Sequence, residues 1–242
     1  VADQAEGLAL IQRLVDRREA DGIILSGTRP EDARVGWLQA RGFPFVTYGT
    51  TAAHGPHPFV DADNAGIMAA AVARLADRGH RRIALVNPPE HMSWAVTRRR
   101  AWAAAMQAAG LDADPALVRS GVLTPGFGVE AVLALSRLSD APTAYLCANE
   151  AAALGALSGF ARAGMVHGRD AVINATDDLN VSAYFVPPLT TFFLPISRPA
   201  RLLGTFMLGR LEDQAVDQLQ RLLMPDLIER SDDILRPDTG AF

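Results

Sequence analysis

Three polar side chains of the types that bind hydroxyl groups follow predicted strands in this sequence. Arg98 lies one loop beyond a strand, Asn149 comes directly after another, and Asp177 follows a third. A planar guanidinium donates to two neighbouring hydroxyls, a carboxylate accepts two hydroxyl protons, and a carboxamide does both. Ligands of open α/β sheets bind at the carboxyl ends of the strands. These residue types at such positions suit contact with a small molecule rich in hydroxyl groups.

Each of the three residues also has a purely structural interpretation. Arg98 is one of three consecutive arginines near a helix start and fits a solvated position. Asn149 fits the N-cap of the helix that follows it, a position that asparagine favours. Asp177 fits a turn or a cap, and its neighbour Asp178 fills that role equally well. The residues alone leave both interpretations open.

Five further residues are candidates for ligand contact. Ser26 ends a predicted strand, although a serine at the start of a loop is an equal alternative, and Tyr48 and Thr50 flank the end of the next strand. Trp94, in the predicted loop before Arg98, offers an aromatic surface for stacking. Phe193 lies where the chain is predicted to pass from one domain to the other. These side chains would complete a site with both polar and apolar walls.

The sequence lacks the motifs of the common enzyme classes. It has no G-x-x-x-x-G-K-[ST], no G-x-G-x-x-G, no G-x-S-x-G and no H-E-x-x-H motif. His54 and His57 lie in a Gly/Pro-rich loop without a nearby acidic residue. Asp177 and Asp178 are adjacent, and adjacent side chains point to different sides, which disfavours a shared site. We therefore expect no catalysis, no bound metal and no cofactor.

Composition narrows the class of protein. The 242 residues are 49% hydrophobic and 21% charged, the balance of a globular protein, and no apolar run approaches the ~20 residues that span a bilayer. A net charge of −4 argues against a nucleic-acid-binding surface within this chain, because duplex binding needs clustered basic residues. Cys147 is the one cysteine, which excludes an internal disulfide, and its apolar neighbours predict a buried strand residue.

Helical patterns alternate with short apolar strands along the chain. Such alternation predicts an α/β fold with parallel sheets covered on both faces. About eight alternations fit either a closed barrel or two open sheets. Strands are predicted at residues 22–25, 43–48, 82–86, 143–147, 171–175 and 189–193, and helices at residues 6–18, 31–41, 64–78, 97–109, 127–138, 150–163, 180–185 and 196–211.

Four sequence motifs resemble the LacI/GalR family of transcriptional regulators, in the family's order and spacing. They are an acidic residue and asparagine at 63–64 before a helix that leads to Gly-His-Arg-Arg-Ile-Ala at 79–84; Arg-Arg-Arg-Ala-Trp at 98–102; Ala-Asn-Glu at 148–150; and Asp-Asp at 177–178 with Pro-Pro-Leu-Thr-Thr at 187–191. Ala101, Leu123 and Leu194 depart from the family pattern, and the two leucines leave the identity of the ligand open.

The resemblance implies two Rossmann-like lobes of the periplasmic-binding-protein type I. The N-terminal lobe would hold residues 1–59 and about 192–225, and the C-terminal lobe residues 60–191 and about 226–242. Residues 50–58 are the expected first crossing between lobes. The resemblance also implies that the family's helix-turn-helix head and its first strand–helix–strand unit precede Val1, so that the first sheet would have an unpaired edge.

The resemblance further implies a function. A cytoplasmic homodimer would bind a sugar effector between the two lobes of each subunit. Binding would control how the N-terminal helix-turn-helix heads, which are absent from this sequence, bind operator DNA. Arg98, Asn149 and Asp177 are the effector contacts that it implies most directly. A periplasmic sugar-binding protein of an ABC transporter shares the two-lobe fold and is the alternative.

Overall fold

The computed structural model describes residues 4–230, which contain seven α-helices and ten strands. No helix in this range combines the length and the apolar character that a bilayer crossing needs. In chain order the elements are α1 (Gln4–Asp16), β1 (Ile23–Leu25), α2 (Ala33–Ala40), β2 (Phe45–Tyr48), β3 (Phe59–Ala62), α3 (Asn64–Asp77), β4 (Ile83–Asn87), α4 (Ser93–Ala108), β5 (Val118–Ser120), α5 (Pro125–Leu135), β6 (Ala144–Cys147), α6 (Glu150–Arg162), β7 (Val172–Asp177), β8 (Thr190–Phe193), α7 (Ser197–Leu211), β9 (Gln220–Leu223) and β10 (Asp226–Ile228).

These elements form two compact units. The first takes in the chain up to Ala62, together with His91–Trp94 and Ile196–Leu223. The second takes in Asp63–Glu90, Ala95–Pro195 and the chain from Met224. Each unit has one open sheet, so the closed-barrel alternative does not apply.

The sheet of the first unit has the strand order β1-β2-β3-β9, and each strand runs parallel to the strands beside it. Its helices cover the sheet with apolar side chains, as expected for parallel strands. One buried cluster joins α1, α2 and the first two strands, with the members Ile11, Leu25, Val35, Leu38 and Phe45.

A buried aspartate organises the start of α2. The Asp32 carboxylate caps the helix by accepting the backbone N–H of Arg34 at 3.1 Å, and it pairs with the Arg34 guanidinium at 2.7 Å. Arg34 in turn donates to the carbonyl oxygens of Ser26 and Gly27 at 3.2 and 3.1 Å. The pair therefore fixes the loop that follows β1.

The sheet of the second unit has the order β10-β8-β7-β6-β4-β5. All neighbours are parallel except β10, which runs antiparallel to β8. The residues after Ile228 attach this edge strand, because Glu229 pairs with both Arg74 and Arg78 at 2.8 Å. Arg230 donates to the Leu189 carbonyl oxygen at 2.8 Å. Strand β10 is thus held by charged side chains as well as by its backbone hydrogen bonds to β8.

Helices α5 and α6 pack with their backbones almost in contact. A Cβ atom added at Gly155 would lie 1.9 Å from the carbonyl oxygen of Pro125, and one at Gly128 would lie 2.1 Å from that of Ala152. Only residues without a side chain allow this approach.

Several predicted boundaries differ from the structure. Residues 50–58 do not leave the first unit, because they lead into β3, which pairs with β2. Apart from His91–Trp94, which belong to the first unit, the units change after Ala62, Pro195 and Leu223, whereas we predicted changes after residue 59 and after about residues 191 and 225. Phe193 is therefore in β8 of the second unit rather than at a crossing.

Candidate functional site

The strand order of the second sheet creates a switch point beside β4. From β4 the chain adds β5 on one side and then returns to add β6 on the other. Connections that diverge in this way leave a crevice at the carboxyl ends of the two central strands, where ligands of open α/β sheets bind. The residues that follow β4 and β6, in the loops and at the starts of the next helices, therefore define the candidate site.

Arg98 lies at this edge, in the second turn of α4, and only 4% of it is exposed. Its Nε donates to Asn64 Oδ1 at 2.8 Å, and its Nη1 donates to the Ala148 carbonyl oxygen at 2.9 Å and to Thr176 Oγ1 at 3.1 Å. Arg98 is thus a held side chain and not the solvated arginine of the alternative interpretation.

Asn149 is the second residue after β6 and caps α6, with its Oδ1 accepting the backbone N–H of Ala152 at 2.9 Å. The residue is half-buried. Because Ala148, its neighbour, accepts a hydrogen bond from Arg98, Asn149 lies beside the arginine at the same edge. Asn149 therefore has the capping role that we considered. Its contact with a ligand stays a prediction.

Asp177 ends β7 at this edge, but its carboxylate faces inward and is 2% exposed. One oxygen accepts the backbone N–H of Leu179 at 3.1 Å and the other accepts that of Ser182 at 2.9 Å. The structure thus gives Asp177 the turn-forming role of the alternative interpretation. Asp178 presents the exposed carboxylate, because the chain bends directly after the strand.

The argument against a shared site for adjacent aspartates is wrong for this bend. Glu150, Asp177 and Asp178 each offer a carboxylate oxygen within 4.8 Å of the others. Burial raises the pKa of Glu150, and the negative charges of Asp178 and Asp177 raise it further. Burial and the charge of Asp177 likewise raise the pKa of Asp178. The group could hold a cation, but both oxygens of Asp177 already accept backbone N–H groups, and such acidic groups are common without one.

The remaining candidates lie in both units. In the first, Ser26 follows β1 and is exposed, Tyr48 ends β2, and the half-buried Thr50 donates its backbone N–H to Asp61 Oδ2 at 3.1 Å. Trp94 is in the first turn of α4, because that helix begins at Ser93 and not at residue 97. In the second unit, Phe193 ends β8 and pairs in register with Asp177.

Two residues that hold Arg98 were not predicted. Asn64 was named only as part of the first family motif, before a predicted helix, and Thr176 was not singled out. Asp63 caps α3 instead, by accepting the backbone N–H of Gly66 at 2.8 Å. Asn64 stands next to a residue that caps the helix. That position was the available signal that the Asn64 side chain has a role other than capping.

Comparison with known proteins places this geometry in a family. The model of the periplasmic binding protein-like domain matches residues 72–231. The transcriptional regulator AglR of Rhizobium meliloti (strain 1021) is 32% identical over 239 residues, which are 97% of this chain and 67% of AglR. The chain belongs to the LacI family. A regulatory protein of that family from Chloroflexus aggregans superposes with a TM-score of 0.86 at 30% identity, covering 96% of this chain and 84% of that one.

A second solved structure is informative because it holds a ligand. A complex of the regulator CelR with cellobiose has a TM-score of 0.83 and 27% identity, covering 92% of this LacI-family chain and 68% of CelR. The predicted family and the predicted α/β, periplasmic-binding-protein-like fold are confirmed. The relatives are transcriptional regulators, which favours that class over a transport protein. The chain spans about two thirds of the length of the curated relatives it matches.

Proposed function

We propose that this chain is the effector-binding part of a cytoplasmic transcriptional regulator, that it is not an enzyme, and that its effector is a sugar or a related polyol. The likeness to a regulator solved with cellobiose supports the sugar class. The placement of Arg98 at the switch point of the second sheet is the observation that carries the proposal.

The side chains at this edge suit the chemistry of vicinal hydroxyl groups. Arg98 supplies a donor whose orientation is already fixed, and Asn149 supplies both a donor and an acceptor. The carboxyl groups of Glu150 and Asp178 add hydrogen-bond acceptors at this edge, with oxygens within 4.8 Å of one another. A direct role for Asp177, and for Ser26, Tyr48, Thr50, Trp94 and Phe193, stays a prediction.

Substitution of Arg98 tests the site. In calorimetric titrations against a panel of mono- and disaccharides that includes cellobiose, we expect the wild-type chain to bind at least one sugar. Arg98→Ala should weaken that binding about 100-fold, because hydrogen bonds from a charged donor are lost. Arg100→Ala, which removes an exposed arginine from the same helix, is the matched control and should change affinity less than about twofold.

Two results would contradict this proposal. One is a wild-type chain that binds no sugar of the panel while a non-sugar effector binds. The other is a sugar that Arg98→Ala binds as tightly as the wild type, with thermal unfolding showing that the variant is folded.

We further propose that the effector acts by changing affinity for operator DNA, through a DNA-binding part that lies outside this chain. The net charge of −4 supports placing the DNA contact elsewhere. An effector shifts such an equilibrium only if it binds one conformational state more tightly than the other. Its affinity should therefore change when operator DNA is bound to the whole protein.

We also propose that the chain forms a homodimer through the second unit. Large apolar side chains are exposed there on α6 and on the loop after β7, including Leu154 at 46%, Tyr184 at 84% and Val186 at 92%. Exposed apolar side chains that form one patch are typical of protein interfaces, and we propose that these residues form such a patch. Leu154 also lines a groove between α5 and α6, together with Pro125, Gly126, Val129, Glu130, Gly155, Ser158 and Arg162.

The same type of substitution, leucine to aspartate, made separately at two positions tests the proposed dimer interface. In sedimentation velocity we expect the wild type to be dimeric and Leu154→Asp to be largely monomeric, since a charge would be buried twice in a symmetric interface. Leu10→Asp is the matched control, because Leu10 lies on α1 and is exposed to the same 46%. A monomeric wild type, or dissociation by Leu10→Asp but not by Leu154→Asp, would contradict the proposed interface.

A further inference from the structure

The guanidinium of Arg98 is held by acceptors from three separate elements. Asn64 belongs to α3, Ala148 follows β6, and Thr176 lies in β7. They engage Nε and Nη1, with distances of 2.8, 2.9 and 3.1 Å. A guanidinium is planar, so acceptors on two of its nitrogens fix both the direction and the plane of the whole group.

Thr176 is oriented so that its hydroxyl accepts from the arginine. Its Oγ1 donates to the Ala148 carbonyl oxygen at 2.5 Å, so its hydrogen is engaged and its lone pairs are left to face Nη1. The two strands supply this geometry, because Cys147 and Ala175 are paired in register and the next residues are Ala148 and Thr176. The hydroxyl and the carbonyl thus form one acceptor pair for the same N–H group.

The side chain of Asn64 likewise accepts a hydrogen bond from Arg98, whereas the cap of its own helix, α3, is made by Asp63. Asp63 already caps α3, and Asn64 is 4% exposed with its Oδ1 receiving Nε of Arg98. A carboxamide is an expensive group to bury unless its hydrogen bonds are made. Its presence here is explained by the bond to Arg98.

We propose that Asn64 and Thr176 are positioning residues, which fix the Arg98 guanidinium for the effector without touching the effector themselves. This inference rests on the proposed function for its effect on binding, but the positioning itself is a property of the chain alone. A donor that is already ordered loses little freedom when ligand binds, and the affinity is correspondingly higher. Removing either acceptor takes away one of the hydrogen bonds that fix the plane of the guanidinium, so that the group can turn more freely.

The positioning is measured first without any ligand. In nitrogen-15 NMR of the arginine side chains, with the Arg98 signals assigned from Arg98→Lys, we expect restricted rotation about the Nε–Cζ bond and slow exchange of the Nε hydrogen. Thr176→Val keeps the side-chain shape but removes the acceptor, and it should speed the rotation. Thr176→Ser keeps the hydroxyl and should restore the slow rotation. Asn64→Ala should speed exchange of the Nε hydrogen.

The effect on binding is measured with the same sugar panel. Thr176→Val and Asn64→Ala should weaken binding of the sugar that the wild type binds by about 5- to 30-fold, and Thr176→Ser by less than about threefold. Thermal unfolding of each variant checks that it is folded at the temperature of the titration, so that weaker binding is not caused by unfolding.

The outcomes distinguish the two proposals. Arg98 dynamics that are unchanged in Thr176→Val and Asn64→Ala would overturn the positioning role, whatever the sugars do. Altered dynamics with unchanged sugar affinity would overturn the link between this role and the effector. A wild type that binds no sugar would contradict the proposed function, while the NMR result would still decide whether the two residues position Arg98.

Discussion

Replacing Gly155 with alanine is expected to destabilise the chain by about 3 kcal/mol, the upper part of the range for overpacking. The added Cβ would lie 1.9 Å from the carbonyl oxygen of Pro125 and 2.7 Å from its carbonyl carbon. Both are backbone atoms at the start of α5, so no side chain can rotate away to make room. The two helices must separate, and the apolar contacts between them are lost along their length.

Gly204 provides a matched control in the interior of another helix, α7. A Cβ added there meets no heavy atom of the described residues within 4 Å, apart from its own stretch of helix. Gly204→Ala should therefore stabilise the chain by about 0.5–1 kcal/mol, because alanine favours the helix over glycine. Urea unfolding measures both variants. Equal midpoints for Gly155→Ala and the wild type would show that α5 and α6 are not packed as closely as described.

The second large effect is expected at Asp32, whose side chain is completely buried. Asp32→Ala should cost about 3 kcal/mol, because it removes a helix cap and leaves the charge of Arg34, which is only 17% exposed, without its carboxylate. Burial raises the pKa of Asp32, but the hydrogen bond and charge of Arg34 and the backbone N–H groups of Arg29 and Arg34 outweigh it, so the pKa is lowered overall.

The lowered pKa gives this prediction a pH dependence. The ionised carboxylate stabilises the fold fully above its usual pKa of 3.8, and this contribution is lost as the pH falls through the lowered value. Asp32→Asn keeps an acceptor for the cap but loses the charge, and it should fall between wild type and Asp32→Ala. Urea unfolding at neutral pH ranks the three proteins. An asparagine variant as stable as the wild type would show that the cap alone matters and the ion pair does not.

Local signals in the sequence were enough to predict much of the architecture. Gly79 was predicted to follow the end of α3, and it does so with a φ of +93° that favours glycine. Strands β4 and β6 were predicted because they are buried along their whole length and contain hardly any polar residue, and β7 was predicted from its apolar first half. Where hydrophobicity is continuous, the strand can be predicted without knowing its neighbours.

Four short strands, β3, β5, β9 and β10, were not predicted in this way. Strand β5 has three residues, none of them buried, and β10 has three residues at the opposite edge of the same sheet. Strand β3 contains Asp61, which accepts the backbone N–H of Thr50. Such strands form because a partner strand is already in place, and the partner is distant in sequence.

The candidate site shows a similar division. The positions of Arg98, Asn149 and Asp177 at one edge of a sheet followed from where each stands after a strand. Which way each side chain points did not, because it depends on contacts from other elements. Asp177 turns inward to the loop after β7, and Arg98 is held by Asn64, which is 34 residues away.

The order in which the chain leaves the ribosome has a consequence for both units. Strand β9 pairs with β3, and β10 pairs with β8, so each sheet receives its final strand from residues 220–228. A nascent chain that ends before this segment has an open edge on both sheets, although most of its core residues have been made. Contacts between distant segments form slowly. Both units should therefore reach their native state only after residues 220–228 have been made, and a chain that stops before this segment should be damaged in both units together.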